Sequence, residues 1–297
     1  MQLFAPRYYQ RFQCTAAACT HSCCVGWEID VDEKTLARYD ALPGTLGEEI
    51  RAGITRTENG CFFALDRQER CPNLRPDGLC RIICELGEGY LCDICREHPR
   101  FYHTVMGRME CGVGASCEAA AALILSSDAY SDLVPVGEVE GASPATGGDF
   151  DTLAWREALY AVLRDASLPY RERLLRIAEI CDVSLPGAAR VCEVLSDLEY
   201  LSEAHRLAFS HYTEAPERGG IEPECERFFA YLLYRHASVA ETLRELAAAV
   251  GLALVVERLF AMLCTVLCYS PVEAAVALSE ELEYSEENTA ALLAACV

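Results

Sequence analysis

Chemistry in this 297-residue chain centres on its cysteines, of which twelve lie in residues 1–117 and six in the remaining 180. A composition effect alone would spread them evenly, so the concentration argues for ligation. Four elements carry the pattern. Cys14, Cys19, Cys23 and Cys24 form a C-x4-C-x3-CC run that leads into Val25-Gly26-Trp27. Cys71-Pro72-x-Leu74 is followed by Gly78-Leu79-Cys80, and Cys92-x2-Cys95-Arg96 leads to His98-Pro99-Arg100. Cys111 and Cys117 close the set. Thiolates bind borderline and soft metals strongly, and turns between close cysteines let two ligands face one ion or cluster.

Iron–sulfur ligation is the reading this spacing favours, with zinc as the rival and a metal-free set of small buried thiols as the third alternative. Structural zinc sites usually present two C-x2–4-C knuckles, and only Cys92/Cys95 has that form. The adjacent Cys23-Cys24 pair diverges too far for one tetrahedral ion but suits a larger cluster or two sites. A C-x3-C-x2-C radical motif is absent, because Gly26 stands where its third cysteine would fall.

The elements around these residues divide by pattern. Up to Cys117 the chain is rich in turn signals. Ile29-Asp30-Val31-Asp32 alternates like a short strand, Asp32–Tyr39 reads as a helix, and short helices are expected at Cys80–Leu86 and Gly89–Arg96, parted by Gly87. Metal coordination would hold such pieces together in place of a large apolar core. A helix former run follows Cys117, and residues 131–150 read as a linker with two prolines and four glycines. From Asp151 the periodicity is helical, with Pro186, Pro223 and Pro271 at the breaks. The apolar run Leu246–Cys268 is interrupted by Glu257 and Arg258, which argues for a buried core helix and against a membrane span. The expected fold is mainly α: a cysteine-rich metal-centred N-terminal domain (1–130), a linker (131–150) and an all-helical acidic C-terminal domain (151–297).

Formal net charge is −21 overall, −3 for residues 1–117 and −18 for the rest. Phosphate repulsion makes nucleic acid an unsuitable partner for the second half. Its acidity reads first as solubility and second as a surface for a basic or lysine-bearing partner. MQLFAPRYYQRF lacks the apolar stretch of a secretory signal, so a cytoplasmic, reduced protein is expected.

Several of these motifs together resemble the flagellin lysine-N-methylase family. They are Pro6-x-Tyr8-Tyr9-x2-Phe12-x-Cys14, the CC-x-G-W stretch, Cys71-Pro-x-Leu, Gly-Leu-Cys80-x-Ile82, Leu86-Gly87-x2-Tyr90-Leu91, Cys95-Arg-x2-Pro-Arg100 and Ser116-Cys117, spanning about residues 6–120. In the second half, Phe229–Arg235 resembles a family helix ending in arginine. Ser279–Ser285 resembles a family segment but lacks its arginine near Glu280 and its histidine near Tyr284. The resemblance implies methylation of lysine ε-amino groups on flagellin, with S-adenosylmethionine as donor and a cysteine-ligated iron–sulfur cluster of the four-iron type. Cys14, Cys19, Cys23, Cys24, Cys71, Cys80, Cys95 and Cys117 match the family pattern. Cys19, Cys23, Cys24, Cys71, Cys80 and Cys95 are the foremost ligand candidates. Cys61, Cys84, Cys92 and Cys111 are particular to this chain, with Cys92 a substitute ligand.

Lysine methylation needs a neutral amine, which desolvation or a nearby base supplies. Tyr8, Tyr9 and Trp27 are candidates for an aromatic wall, or for plain packing around the metal centre. Arg96 and Arg100 are candidates to clamp the donor's carboxylate, or to balance an electron-rich cluster or cap a helix. His21 and His98 read as neighbours of the thiolates. Cys111-Gly-Val-Gly-Ala-Ser116 is a lone G-x-G with no apolar strand expected before it, so no Rossmann-type donor site is assigned, and no residue is singled out as catalytic base. The alternative function is a metal-binding redox or chelating protein without methyl transfer; a zinc-stabilised interaction module is a third.

Overall fold

In the computed structural model, residues 1–58, 60–139, 150–214 and 216–296 are described. Contacts divide the chain into a smaller unit, Gln13–Arg100, and a larger one, Met1–Phe12 with Phe101–Val297. This differs from the boundary expected at 131–150. Residues 101–130 pack with the helices that follow, and Leu133–Glu138 is a strand; the rest of the expected linker, 140–149, lies outside the described residues.

Strands from residues 2–6, 100–113 and 133–138 make the larger unit mixed α/β, whereas a mainly α fold was expected. Its four-stranded sheet runs in the order Arg100–Val105, Arg108–Val113, Gln2–Pro6, Leu133–Glu138. Met106 and Gly107, both with positive φ, make the tight turn between the first two. Gln2–Pro6 lies parallel to Arg108–Val113, with Leu3 opposite Met109, and antiparallel to Leu133–Glu138. These strands are hard to read in sequence. RMECGV mixes charge, cysteine and glycine, and LVPVGE carries a proline that only an edge position tolerates.

From Thr152 every element among the described residues is helical. Glu222–His236 and Leu243–Thr265 form the centre of the core, with Phe228 and Phe260 rings 4.7 Å apart. Leu243–Thr265 is long and apolar enough to cross a membrane, but it is largely buried within the protein, as a core helix is. Its charge is accommodated by pairing: fully buried Glu257 accepts two hydrogen bonds from Arg218, each 2.7 Å. Helix Pro271–Leu278 starts on a Ser270/Glu273 capping box and runs into a π turn, Ser279–Glu283, whose five residues are all buried.

The smaller unit has little apolar core. Ile29, Val31, Tyr39, Ile50, Phe63, Cys71, Ile82, Leu91 and Cys92 are its buried cluster. Ile54–Thr57 and Gly60–Phe63 pair as a hairpin, and the Ile29–Val31 segment joins it through Val31 N–H to the Cys61 carbonyl (2.7 Å) and Phe63 N–H to the Ile29 carbonyl (3.0 Å). Asp32 caps helix Glu33–Ala41, accepting from Thr35 N–H at 2.9 Å. The first expected short helix is Arg81–Leu86, ended by Gly87 at φ +86°; the second, expected at Gly89–Arg96, divides into a 3-10 turn Glu88–Tyr90 and a helix Asp93–Glu97.

Glu110 and Arg156 pair inside the larger unit at 2.7 and 2.9 Å, and Arg156 also donates to Ser238 Oγ at 2.7 Å. Glu110→Ala should cost about 3–5 kcal/mol, because it strands a buried guanidinium, whereas Glu110→Leu combined with Arg156→Met should cost less than the single change. Urea unfolding of the three proteins measures both quantities, and a double variant less stable than Glu110→Ala would refute the desolvation argument.

Candidate functional site

Two groups of side chains stand out, one in each unit. In the smaller unit, the Cys71 N–H donates to the Cys24 carbonyl at 2.8 Å, which sets those two residues side by side. Leu74 bridges to Cys80 across the loop between Cys71 and Cys80, and Arg81 N–H donates to the Asn73 carbonyl at 2.8 Å. Cys92 precedes helix Asp93–Glu97 and Cys95 lies within it, their sulfurs 3.3 Å apart. Cys24, Cys71, Cys80, Cys92 and Cys95 all pack on the one small core.

Electrostatics shows what holding these thiols together costs. Burial, with the neighbouring Cys80 and Cys92, pushes the Cys71 thiol up to about 11. The hydrogen bond with Cys92, then burial, then the negative ends of Cys92, Cys24 and Cys71 raise Cys95, while the Cys95 hydrogen bond lowers Cys92. Cys80 is raised by burial, and Cys23 by its hydrogen bond with Cys24 and then by burial. Ionising several of these groups together therefore requires a positive centre among them. Among the described residues, no three His, Cys, Asp or Glu side chains already close on one ion position. Two ligands of a single tetrahedral zinc lie about 3.8 Å apart, given Zn–S of about 2.3 Å; Cys92 and Cys95, at 3.3 Å, come near that spacing.

The other sequence candidates distribute as follows. Cys19 donates to the His21 carbonyl at 2.7 Å. Cys14 is exposed and accepts from Ala16 N–H at 3.4 Å. Cys61 packs beside the small core and Cys84 is exposed. Cys111 and Cys117 belong to the larger unit, Cys111 fully buried in a strand and Cys117 immediately before helix Glu118–Leu125. Tyr8 is buried and Tyr9 packs on the core of the larger unit. Trp27 stands edge-on to His98 in the smaller unit, with ring centroids 5.9 Å apart. Arg96 is ion-paired with Asp93 and Glu97, and Arg100 donates to the Arg96 carbonyl at 3.2 Å.

In the larger unit an open pocket of about 300 Å³ was not anticipated from sequence; Phe101, His103, Arg235, His236, Glu283 and Thr289 are among its walls. Buried Glu283 receives Arg235 at 3.2 Å, His236 at 2.9 Å and the Tyr231 hydroxyl at 2.9 Å. Burial alone would raise its carboxyl, but Arg235 and His236 outweigh burial and hold it at about 2. Arg235 lies over the rings of Phe101 (4.7 Å) and Tyr284 (5.1 Å). His103 is pushed down to about 4, by burial first and then by Arg235, and its Nε2 is buried with no hydrogen-bond partner. The G-x-G segment belongs here: contrary to the sequence reading, a strand, Arg108–Val113, does lead into it. A Cβ on Gly112 would meet the Phe101 ring at 2.3 Å, and one on Gly114 the Tyr284 hydroxyl at 2.6 Å. These glycines serve close packing under the aromatic and guanidinium groups. The signal in the sequence was the pair of segments Phe229–Arg235 and Ser279–Ser285, which meet at Arg235 and Glu283.

The fold and these two groups define a class: a thiol-gathering α/β protein with an open pocket beside a buried charge pair. Particular relatives extend this. The chain is 27% identical over 144 residues to "Flagellar biosynthetic protein FliU" of Salmonella muenchen, covering 46% of this chain and 83% of that one. It is 28% identical over 127 residues to "Lysine-N-methylase" of Salmonella typhimurium, covering 41% of this chain, and matches the Salmonella choleraesuis protein of the same name equally. These matches span about a third (32%) of the methylases' length. No family model matches the chain, and no solved structure does. The relatives support the resemblance to the flagellin lysine-N-methylase family, and with it a methylase-related function in a flagellar context.

Acid should unfold the larger unit in two stages. The unfolded chain protonates His103 near its ordinary pKa of 6.5 while the folded chain does not, so stability falls as pH drops from 6.5 toward 4. Glu283, ionised when folded, withdraws its contribution as pH falls from 4.5 toward 2. Denaturant titrations across this range should show His103→Gln losing about 1–3 kcal/mol of the upper dependence. An unaltered slope between pH 6.5 and 4 in that variant would assign it to other groups.

Proposed function

We propose that the protein is a protein-lysine N-methyltransferase that transfers a methyl group from S-adenosylmethionine to lysine ε-amino groups of flagellin in the cytoplasm. The observation that carries this reading is the similarity to the two lysine-N-methylases, joined to the FliU match over most of that protein's length. We further propose that the smaller unit holds an iron–sulfur cluster of the four-iron type. Cys24, Cys71, Cys80 and Cys95 are its ligands, Cys92 serves as the chain's own substitute, and Cys19 and Cys23 complete the set read from sequence. The convergence of six thiols on one small core, Cys71 and Cys92 within its buried cluster and Cys24, Cys61, Cys80 and Cys95 against it, supports the assignment. A bound cluster supplies positive charge that lets adjacent thiolates ionise together, and binding free energy to a unit poor in apolar core.

A second reading, a metal-binding protein without methyl transfer, draws on the 3.3 Å Cys92–Cys95 approach, which suits a single zinc. Anaerobically purified protein should contain about four irons and four acid-labile sulfides per chain. Cys71→Ser and Cys95→Ser should lose them, while Cys192→Ser and Cys264→Ser should not. Zinc without sulfide would replace the cluster assignment. Label from S-adenosylmethionine should appear in flagellin lysines, and its absence with metal-replete protein would select the second reading.

A further inference from the structure

A second open pocket in the larger unit has a volume of about 280 Å³, and its walls include Arg108, Ser131, Leu133, Leu153, Arg156 and Glu157. Its charges do not cancel. Arg108 and Arg156 both bind Glu110, which is fully buried: Arg108 donates through Nε at 2.8 Å and through Nη2, and Arg156 at 2.7 and 2.9 Å. Two guanidiniums share one carboxylate, so the triad keeps one positive charge. The acids beside it subtract nothing, because Glu157 is paired with Arg164 and Asp132, next to Ser131, with Arg7. In a chain of net charge −21 this is a local reversal of sign. We propose that this pocket binds the carboxylate of a small organic acid, held by Arg108 Nη1 and the Ser131 hydroxyl, with a short apolar tail against Leu133 and Leu153. The site does not depend on the methyltransferase reading.

The donors are in place before a ligand arrives, and they can be reached. Arg156 is nearly enclosed, with 6% of its side chain exposed, whereas Arg108 has 29% exposed. Arg108 is therefore the guanidinium that an occupant meets. One face of it rests on the Phe4 ring, 4.6 Å from the centroid, while Glu110 fixes Nε and Nη2. Nη1 is left as its donor without a partner among the described residues. Ser131 Oγ accepts from Arg164 at 2.9 Å, which leaves the hydroxyl hydrogen to donate. A carboxylate presents two oxygens to these two donors, and its single charge matches that of the triad. A phosphate dianion would bring a charge that the triad does not offset. Leu133 and Leu153 are half-buried in the wall and suit a short alkyl chain better than a second polar group.

The test titrates butyrate into the full-length protein by ligand-observed NMR, with ionic strength held constant by sodium chloride. Binding should saturate at one site, and butyramide, of the same shape but uncharged, should bind at least about tenfold more weakly. Arg108→Gln should weaken butyrate by about tenfold or more and Ser131→Ala by about fivefold. Arg108→Gln leaves Glu110 paired with Arg156, so the buried pair survives the change. Leu153→Trp should block the pocket without touching the triad, which keeps the test decisive if Arg108→Gln folds poorly. Competition with S-adenosylhomocysteine separates two sources of the same group. Displacement of butyrate that is lost in Arg108→Gln assigns the site to the carboxylate of a methyl donor's product, and saturable butyrate binding without displacement assigns it to a free organic acid. Unsaturable binding, equal binding of butyramide, tighter binding of inorganic phosphate than of butyrate, or unchanged butyrate affinity in both Arg108→Gln and Leu153→Trp overturns the proposal.

Discussion

Burial of carboxylates is the constraint on which the larger unit's architecture turns. Among the described residues five glutamates are buried: Glu110, Glu257, Glu280, Glu281 and Glu283. An unpaired carboxylate in such surroundings costs several kcal/mol, so each fixes the position of its partner. Glu110 binds Arg156 to the sheet, Glu257 binds Arg218 to the long core helix, and Glu281 joins His205 (2.7 Å) with the backbone N–H groups of Leu201 and Ser202. Glu283 gathers Arg235, His236 and Tyr231. The π turn Ser279–Glu283 presents three of these carboxylates within five residues, and the pocket is built around one of them. Arginine suits this work, since its guanidinium offers several donors in fixed geometry and stays charged when buried.

This changes the meaning of the chain's acidity. A net −18 over residues 118–297 reads as solvated surface, yet four of the five buried glutamates belong to that stretch. Even Glu226, on the half-buried flank of helix Glu222–His236, is engaged by the Tyr130 hydroxyl at 2.6 Å and Arg173 at 2.7 Å. Part of the charge that suggested attraction of a basic partner is therefore internal wiring.

The smaller unit solves the opposite problem. It has a small apolar core and gathers thiols, several of which are pushed up by burial and by one another. As free thiols they behave as small hydrophobes on the Tyr39–Phe63–Ile82 core; as thiolates they demand a cation. Cys92 shows the limit of family resemblance here. It falls outside the shared pattern, yet it is buried in that core and touches Cys95.

Local order was legible wherever a short-range signal decides it. The Asp32 cap, the break at Gly87, the helices after Asp151 and the burial of Leu243–Thr265 follow from capping, glycine and periodicity. The cysteine concentration and the motifs around it indicated which segment gathers thiols and which family the chain resembles. The sheet was not legible, because its strands are short, carry glycine, proline and charge, and join residues 2–6 to residues 108–113 and 133–138, pairings that no local periodicity encodes. The pocket was not legible either. His103, Arg235 and Glu283 are separated by up to 180 positions, and although Phe229–Arg235 and Ser279–Ser285 stood out as segments, nothing in either joined it to the other or to His103. Only packing removes water from them, and the loss of water is what turns a glutamate into an anchor.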